Sequence, residues 1–303
     1  MTAVLAAILV TLSARAEAQP RTHTDADFHG YWYTQGAEIS RYELTQARYG
    51  ELHKGHAILL YVTEKLRSDT QVKADDPSEA DLPVLKLNAQ RKFYTGIYPY
   101  SVMTSVFSPV AAEACAEPVK ITTSAQEWCG QVYLQMNLRD DTYAVTAHSY
   151  FEQEGDQSFT VPRTYSEDGL FNLVRIAPDQ LPTGTFDLIP DTLHSRLMHQ
   201  PLKANVATGS LGEEQGLSLE GNPLASYTLQ IPHQQRTLKI VFARDFPHRI
   251  ERWEDTYPSL PFAGDKLLTT TAVRTHTIMN EYWNHNANGD RALLDQLGLT
   301  PHP

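Results

Sequence analysis

The sequence predicts a mainly β protein: a large antiparallel sheet, either twisted or curled into an open barrel, with one short C-terminal helix. Two observations carry this prediction. Segments of about ten residues alternate between apolar and polar side chains along most of the chain, and turn-forming residues separate them. Near the C-terminus, Leu293, Leu294 and Leu297 instead have helical spacing and precede Gly298 and Pro301.

The strand pattern begins at Glu38. The first two strands flank residues 53–56, where Gly55 is predicted to form a hairpin turn. Further strands are predicted at 84–95, 98–107, 119–127, 132–138, 143–152, 226–231, 237–243, 249–256 and 267–279. The acidic segment 69–81 is predicted to be a solvated loop.

The middle of the chain is less regular. Prolines interrupt residues 177–203, and a short helix is predicted between them at 192–199. The glycines of residues 209–222 indicate turns. We expect a single β-rich domain over residues 19–303, in which a division into two lobes would fall near 178–201.

The N-terminus resembles a cleavable secretory signal. Residues 3–12 carry no charge, and this run is too short for a membrane-spanning helix, which needs about 20 apolar residues. Small residues at Ala16 and Ala18 predict cleavage after Ala18, so that residues 1–18 form the signal peptide. A buried N-terminal helix is the alternative. We expect an exported protein, periplasmic or secreted, that is soluble after cleavage and has no transmembrane segment.

Composition and missing motifs exclude several functions. The formal net charge of −11 disfavours nucleic acid as a partner, and no basic cluster with interleaved aromatic residues is present. The sequence has no nucleophile elbow, no glycine-rich phosphate loop and no His-Glu-x-x-His zinc motif. We therefore expect neither a cofactor nor a bound metal ion.

The chain has two cysteines, Cys115 and Cys129. In an oxidising compartment a disulfide between them would persist. Alternatively, Cys129 is a buried apolar residue and Cys115 is an exposed one. The sequence leaves both interpretations open.

Candidate catalytic groups surround Cys129. In a strand, Glu127 and Cys129 face the same side, and a buried Glu beside a thiol would have a raised pKa and could act as an acid. Together with His148, these residues are the candidates for an exported hydrolase. The alternative is that Trp128 belongs to the core and Glu127 to the surface.

Seven segments together resemble a group of uncharacterised exported bacterial proteins. They are YW at 31–32, AEISRY at 37–42, QARYGE at 46–51, QVKAD at 71–75, VLKLN at 84–88, TGIYPYS at 95–101 and QEWCG at 126–130. Members of this group are sometimes labelled septum formation inhibitor Maf. True Maf proteins are cytosolic α/β nucleotide pyrophosphatases with an N-terminal Ala-Ser-x-Ser-Pro-Arg-Arg motif, which this chain lacks. The resemblance therefore implies export but supplies no catalytic residues.

Curved sheets of the predicted kind often enclose an apolar cavity, an argument from fold-level analogy. We therefore expect a cell-envelope protein that binds an apolar or amphipathic ligand, or an envelope partner, on the concave face of its sheet. Trp128, Tyr98 and Tyr100 are the candidate ligand-binding residues. The exported hydrolase is the alternative function.

Overall fold

The computed structural model describes residues 25–110, 117–259 and 266–299. The predicted signal peptide and Cys115 lie outside these ranges. The helices are α1 (Asp25–Trp32), α2 (Glu167–Ile176), α3 (Thr192–Leu197) and α4 (Leu293–Gln296). The strands are β1 (Ala37–Arg48), β2 (Glu51–Leu66), β3 (Leu82–Thr95), β4 (Tyr98–Pro109), β5 (Lys120–Glu127), β6 (Gly130–Arg139), β7 (Thr142–Ser149), β8 (Gln157–Pro162), β9 (Tyr165–Ser166), β10 (Gly184–Ile189), β11 (Asn205–Leu217), β12 (Pro223–Ile231), β13 (Arg236–Ala243), β14 (Ile250–Pro258) and β15 (Leu267–Asn280).

All of these strands belong to one sheet, which confirms the predicted mainly β fold. Its order is β8-β7-β6-β5-β4-β3-β2-β1-β15-β14-β13-β12-β11-β10-β9. The sheet thus consists of two meanders, which meet where β1 pairs with β15, from Ala37 opposite Asn280 to Thr45 opposite Thr271. Among the described pairs only β9 and β10 run parallel.

The hydrogen-bonded ladder does not close, but the two edges of the sheet lie near each other. Edge strand β8 ends at Pro162, and the opposite edge strand β9 begins at Tyr165. Because an extended chain spans at most about 3.6 Å per residue, this link allows only a narrow gap. The sheet therefore curls round an interior.

Helix α2 fills much of this interior, and every one of its residues except Phe171 is buried. Asn172 Nδ2 donates hydrogen bonds to the carbonyl oxygen of Leu85 and to Ser108 Oγ, each at 3.0 Å. On the other side, the Phe171 ring packs edge-on against Trp253 in β14, with 5.7 Å between ring centroids. The helix therefore contacts strands of both meanders.

Buried ion pairs hold both ends of α2. At the C-terminal end, Arg175 donates from Nη1 and Nη2 to the two carboxylate oxygens of Glu38 in β1, each at 2.7 Å. At the N-terminal end, Glu167 accepts from Nη1 and Nη2 of Arg236 in β13 at 2.9 and 2.6 Å. Burial alone would raise the pKa of Glu38, but Arg175 and then Arg249 outweigh it and lower this pKa to about 2.

The outer face of the sheet carries a smaller apolar cluster at its centre. Its buried members are Ala37, Ile39, Ile58, Leu60, Val62 and Leu297. Leu297 follows α4, so the predicted C-terminal helix covers apolar residues that the central strands direct outward. Among the described residues, no helix combines the length and the apolar character needed to cross a bilayer.

Two glycine-based turn predictions are wrong, for the same physical reason. Gly55 lies within β2, and the turn is at Tyr49 and Gly50 instead. A Cβ at Gly55 would lie 2.2 Å from the carbonyl oxygen of Lys92 in the neighbouring strand. Likewise, Gly209 lies within β11, where a Cβ would come within 2.3 Å of the carbonyl oxygen of Pro182. Both glycines permit close packing and do not form turns.

Replacing Arg175 by Gln should destabilise the protein by about 3–5 kcal/mol, because it breaks a buried pair and leaves the Glu38 carboxylate poorly neutralised. The matched control is Arg163→Gln, which removes an ion pair to Glu117 whose side chains are 45% and 26% exposed. Its loss should cost about 0–1 kcal/mol. Urea unfolding of the two variants measures both effects, and equal losses would contradict the assignment.

Candidate functional site

A cavity of about 410 Å³ lies inside the curled sheet, and no residue of α2 lines it. Its base consists of side chains on the inward face of β5–β8: Thr123, Ala125, Val132, Leu134, Ala147, Ser149, Gln157 and Phe159. We call it the β5–β8 cavity. Small side chains at Ala125, Ala147 and Ser149 leave space here, whereas Met136 and Tyr143 fill the interior further along β6 and β7.

Helix α3 forms one wall of the β5–β8 cavity. Thr192, Ser195 and Arg196 line the cavity, and their spacing of three and four residues places them on one face of the helix. The helix begins at Asp191, whose carboxylate accepts a hydrogen bond from the backbone amide of His194 at 2.7 Å. The sequence prediction of a helix at 192–199 is therefore confirmed, and it positions a polar stripe against an apolar base.

Two groups on this stripe are buried without a hydrogen-bond partner. Ser195 is 4% exposed, and the side chain of Arg196 is 9% exposed. Within the described ranges, neither Ser195 Oγ nor Arg196 Nε meets a hydrogen-bond partner. Because a buried polar group without a partner destabilises the fold, each of these two groups needs a physical explanation, and a ligand in the cavity would supply one.

The mouth of the cavity is charged. The connection between β7 and β8 places Phe151 under the guanidinium of Arg196, 4.5 Å from its ring centroid. From the same connection, Glu154 pairs with His199 and lies 3.9 Å from Arg196 Nη1. These contacts join the β7–β8 connection to the segment that follows α3.

A chain of threonine hydroxyls leads from the cavity toward buried acids. The Thr123 hydroxyl, in the cavity base, lies 3.0 Å from that of Thr104 and is hydrogen-bonded to that of Thr192. The backbone amide of Thr192 in turn donates to Asp168 Oδ2 at 3.0 Å. Asp168 and Asp191 line a second, much smaller void of about 30 Å³.

The buried acids outnumber the cation that faces them. Arg236 binds both Glu167 and Asp255, the latter from Nε at 2.7 Å. Burial, followed by the charge of Asp191, raises the pKa of Asp168 well above its usual value. Burial also raises the pKa of Glu167 to about 7, against the opposing effect of Arg236. Burial therefore favours the protonated forms of Asp168 and Glu167.

The three predicted ligand-binding residues lie together at one end of the sheet. Tyr98 lies between Tyr100 and Trp128, with ring centroids 5.7 and 6.1 Å away. Tyr100 also stacks on Phe93 at 4.8 Å, and Trp128 is 67% exposed. Trp128 is thus outside the core, and the stack flanks the cavity without lining it.

Two of the three predicted catalytic residues, Glu127 and Cys129, lie in contact, but His148 does not join them. The backbone amide of Cys129 donates to Glu127 at 2.6 Å, and the Glu127 carboxylate raises the pKa of the exposed Cys129 thiol. This disfavours the nucleophilic thiolate. His148 pairs with Asp156 at 3.0 Å, and strand alternation places it on the sheet face opposite to that of Glu127.

Comparison with family models, curated proteins and solved structures yields no match. Across residues 25–110, 117–259 and 266–299, no group of three or more His, Cys, Asp or Glu side chains is placed to hold a metal ion. The functional argument therefore depends on the β5–β8 cavity itself.

Sequence reasoning missed the residues that define this cavity. Thr192, Ser195 and Arg196 lie in the helix that the sequence predicts, and their polar spacing opposite Leu193 and Leu197 was an available signal. The small residues of the base gave no such signal, because an alanine in a strand does not reveal what faces it.

Replacing Asp168 by Asn should reduce the pH dependence of stability. An acid with a raised folded-state pKa contributes stability that is present below its unfolded pKa, about 3.9 for Asp, and is lost as the pH rises through the folded value. Asn cannot ionise, so it avoids this loss. We expect the melting temperature of D168N relative to that of the wild type to rise between pH 5 and pH 9.

The control for this prediction is Asp187→Asn, which changes an exposed aspartate. Its melting curve should follow that of the wild type across the same pH range. If D168N also ran parallel to the wild type, Asp168 would not carry a raised pKa.

Proposed function

We propose that this protein binds a small amphipathic molecule in the β5–β8 cavity. The observation that carries the proposal is a ligand-sized space, with an apolar base and a polar wall, in an otherwise packed interior. Protein interiors are close-packed, and an unfilled volume lowers stability. Ligand pockets commonly measure about 300–1,000 Å³ and combine apolar walls with a few polar groups.

The position of the cavity agrees with binding on the concave face. Helix α2 contacts β3 and β4 in the first meander, and none of its residues lines the cavity in front of β5–β8. Trp128, the exposed end of the aromatic stack, lies in the turn that joins β5 to β6. A ligand that extends out of the cavity would meet it there.

An exported carrier is the form of this function that fits the sequence. The predicted signal peptide places the protein in the cell envelope or outside the cell, where an amphipathic molecule must cross water to move between surfaces. The alternative, an exported hydrolase, finds less support because Glu127 and His148 face opposite sides of the sheet.

Replacing Ala147 by Trp should block binding. Ala147 is in the cavity base, and an indole there would occupy the space that the ligand needs. The apolar probe N-phenyl-1-naphthylamine fluoresces more strongly when it is bound, so its fluorescence measures its affinity for the protein. We expect A147W to bind the probe at least about tenfold more weakly than the wild type does.

The matched control is Ala144→Trp. Ala144 is an exposed residue of the same strand that faces the outer side of the sheet, so the added indole does not enter the cavity. A144W should bind the probe as the wild type does. Equal binding by A147W and the wild type would refute the proposed function.

A further inference from the structure

We infer that the ligand of the β5–β8 cavity is a single-chain amphiphile with a carboxylate headgroup, which Arg196 and Ser195 bind while the chain lies on the apolar base. This inference rests on the proposed function and names its ligand class. It is carried by two neighbouring donors that are buried in the wall of the cavity.

Arg196 differs in how it is neutralised from three buried arginines that form close ion pairs. Arg175, Arg236 and Arg274 each have a carboxylate oxygen within 2.7 Å of a guanidinium nitrogen. Arg48, which is also buried, instead donates to the carbonyl oxygen of Leu197 and to the Tyr49 hydroxyl, and it does not line the cavity. The nearest carboxylate to Arg196, that of Glu154, is 3.9 Å away. Arg196 is therefore the buried guanidinium of the cavity wall that lacks a close anionic partner among the described residues.

Glu154 is engaged elsewhere. Its Oε1 pairs with His199 and its Oε2 accepts a hydrogen bond from Ser149 at 3.1 Å, so both oxygens already have partners. Of the charges that act on Arg196, Glu154 has the largest effect, followed by Arg48 and Glu127. A ligand anion would therefore compete with Glu154 for the Arg196 guanidinium, from which Glu154 is separated by 3.9 Å.

The donor geometry suits a carboxylate. Arg196 Nε and Ser195 Oγ are both buried and unpartnered within the described ranges, and they come from consecutive residues of one helix face. A carboxylate has two acceptor oxygens, and its hydrogen bonds to a guanidinium are about twice as strong as those between neutral groups. Both donor atoms lie beneath the cavity surface, so one headgroup would satisfy them after the two side chains turn toward it.

The apolar base of the cavity suits an alkyl chain. Ala125, Val132 and Leu134 form an apolar strip on β5 and β6, and Phe159 extends it on β8. An alkyl chain on this strip would remove apolar surface from water while its headgroup remained at α3. The polar and apolar parts of the cavity thus match the two ends of one molecule.

Isothermal titration calorimetry tests this inference. The full-length mature protein is titrated with decanoate, with decan-1-ol and with decyltrimethylammonium. The three probes share a chain and differ in headgroup. We expect decanoate to bind at least about tenfold more tightly than decanol, because it adds charge-assisted hydrogen bonds, and the cationic probe to bind most weakly.

Arg196→Gln should remove the preference for decanoate and leave the affinity for decanol within about twofold. Retained decanol binding shows that the variant is folded, and Arg163→Gln, at an exposed site, is the control for loss of a surface charge. Arg196→Lys should restore part of the preference. Ser195→Ala should weaken decanoate binding alone.

The outcomes separate this inference from the proposed function. Equal affinity of the wild type for decanoate and decanol would overturn the carboxylate assignment and leave the binding of an apolar chain intact. If no probe binds the wild type, the proposed function fails as well. If R196Q keeps the full preference for decanoate, Arg196 is not the group that recognises the headgroup.

Discussion

The ion pair between Arg175 and Glu38 is the interaction on which the arrangement of the interior depends. It is fully buried, and breaking such a pair destabilises a protein far more than forming it stabilises one. The pair therefore acts mainly as a positional constraint. It fixes the C-terminal end of α2 on β1, while Glu167 and Arg236 fix the N-terminal end on β13. With both ends held, α2 cannot shift toward β5–β8, and the space in front of those strands is left to the β5–β8 cavity.

Although β8–β11 were not among the predicted strands, most strands could be predicted from the sequence because their signal is local. Each pairs with its chain neighbour or borders a short turn, and alternation of apolar and polar side chains records which face is buried. Helix α2 could not be predicted in the same way. Asp168, Asn172 and Arg175 do have helical spacing, but all three are buried and bind other elements, so this polar stripe does not mark a surface that faces water. The glycines at 55 and 209 misled for a related reason, since their role is set by distant strands and not by their own segment.

The candidate site shows the same division between local and distant information. Tyr98, Tyr100 and Trp128 could be proposed together because they lie near hairpin ends that β4 and β5 bring side by side. Arg196 could not, because its importance lies in the absence of a close carboxylate, which only the packed structure reveals. The separation of Glu127 from His148 likewise depends on strand parity across three strands, and a shift of one residue would have reversed it.

The pairing of β1 with β15 has a consequence for how the chain reaches this fold. Within each meander, strands pair with their immediate neighbours in the chain. The loops that these contacts close are short, so their formation costs little loop-closure entropy. The central seam, in contrast, joins the first strand to the last and must wait for both. Until β15 arrives, β1 presents an unpaired edge, most of whose residues are buried in the folded protein, and such an edge can pair with another chain. The most hazardous period for this protein is therefore the interval before its final strand docks, when aggregation competes with completion of the sheet.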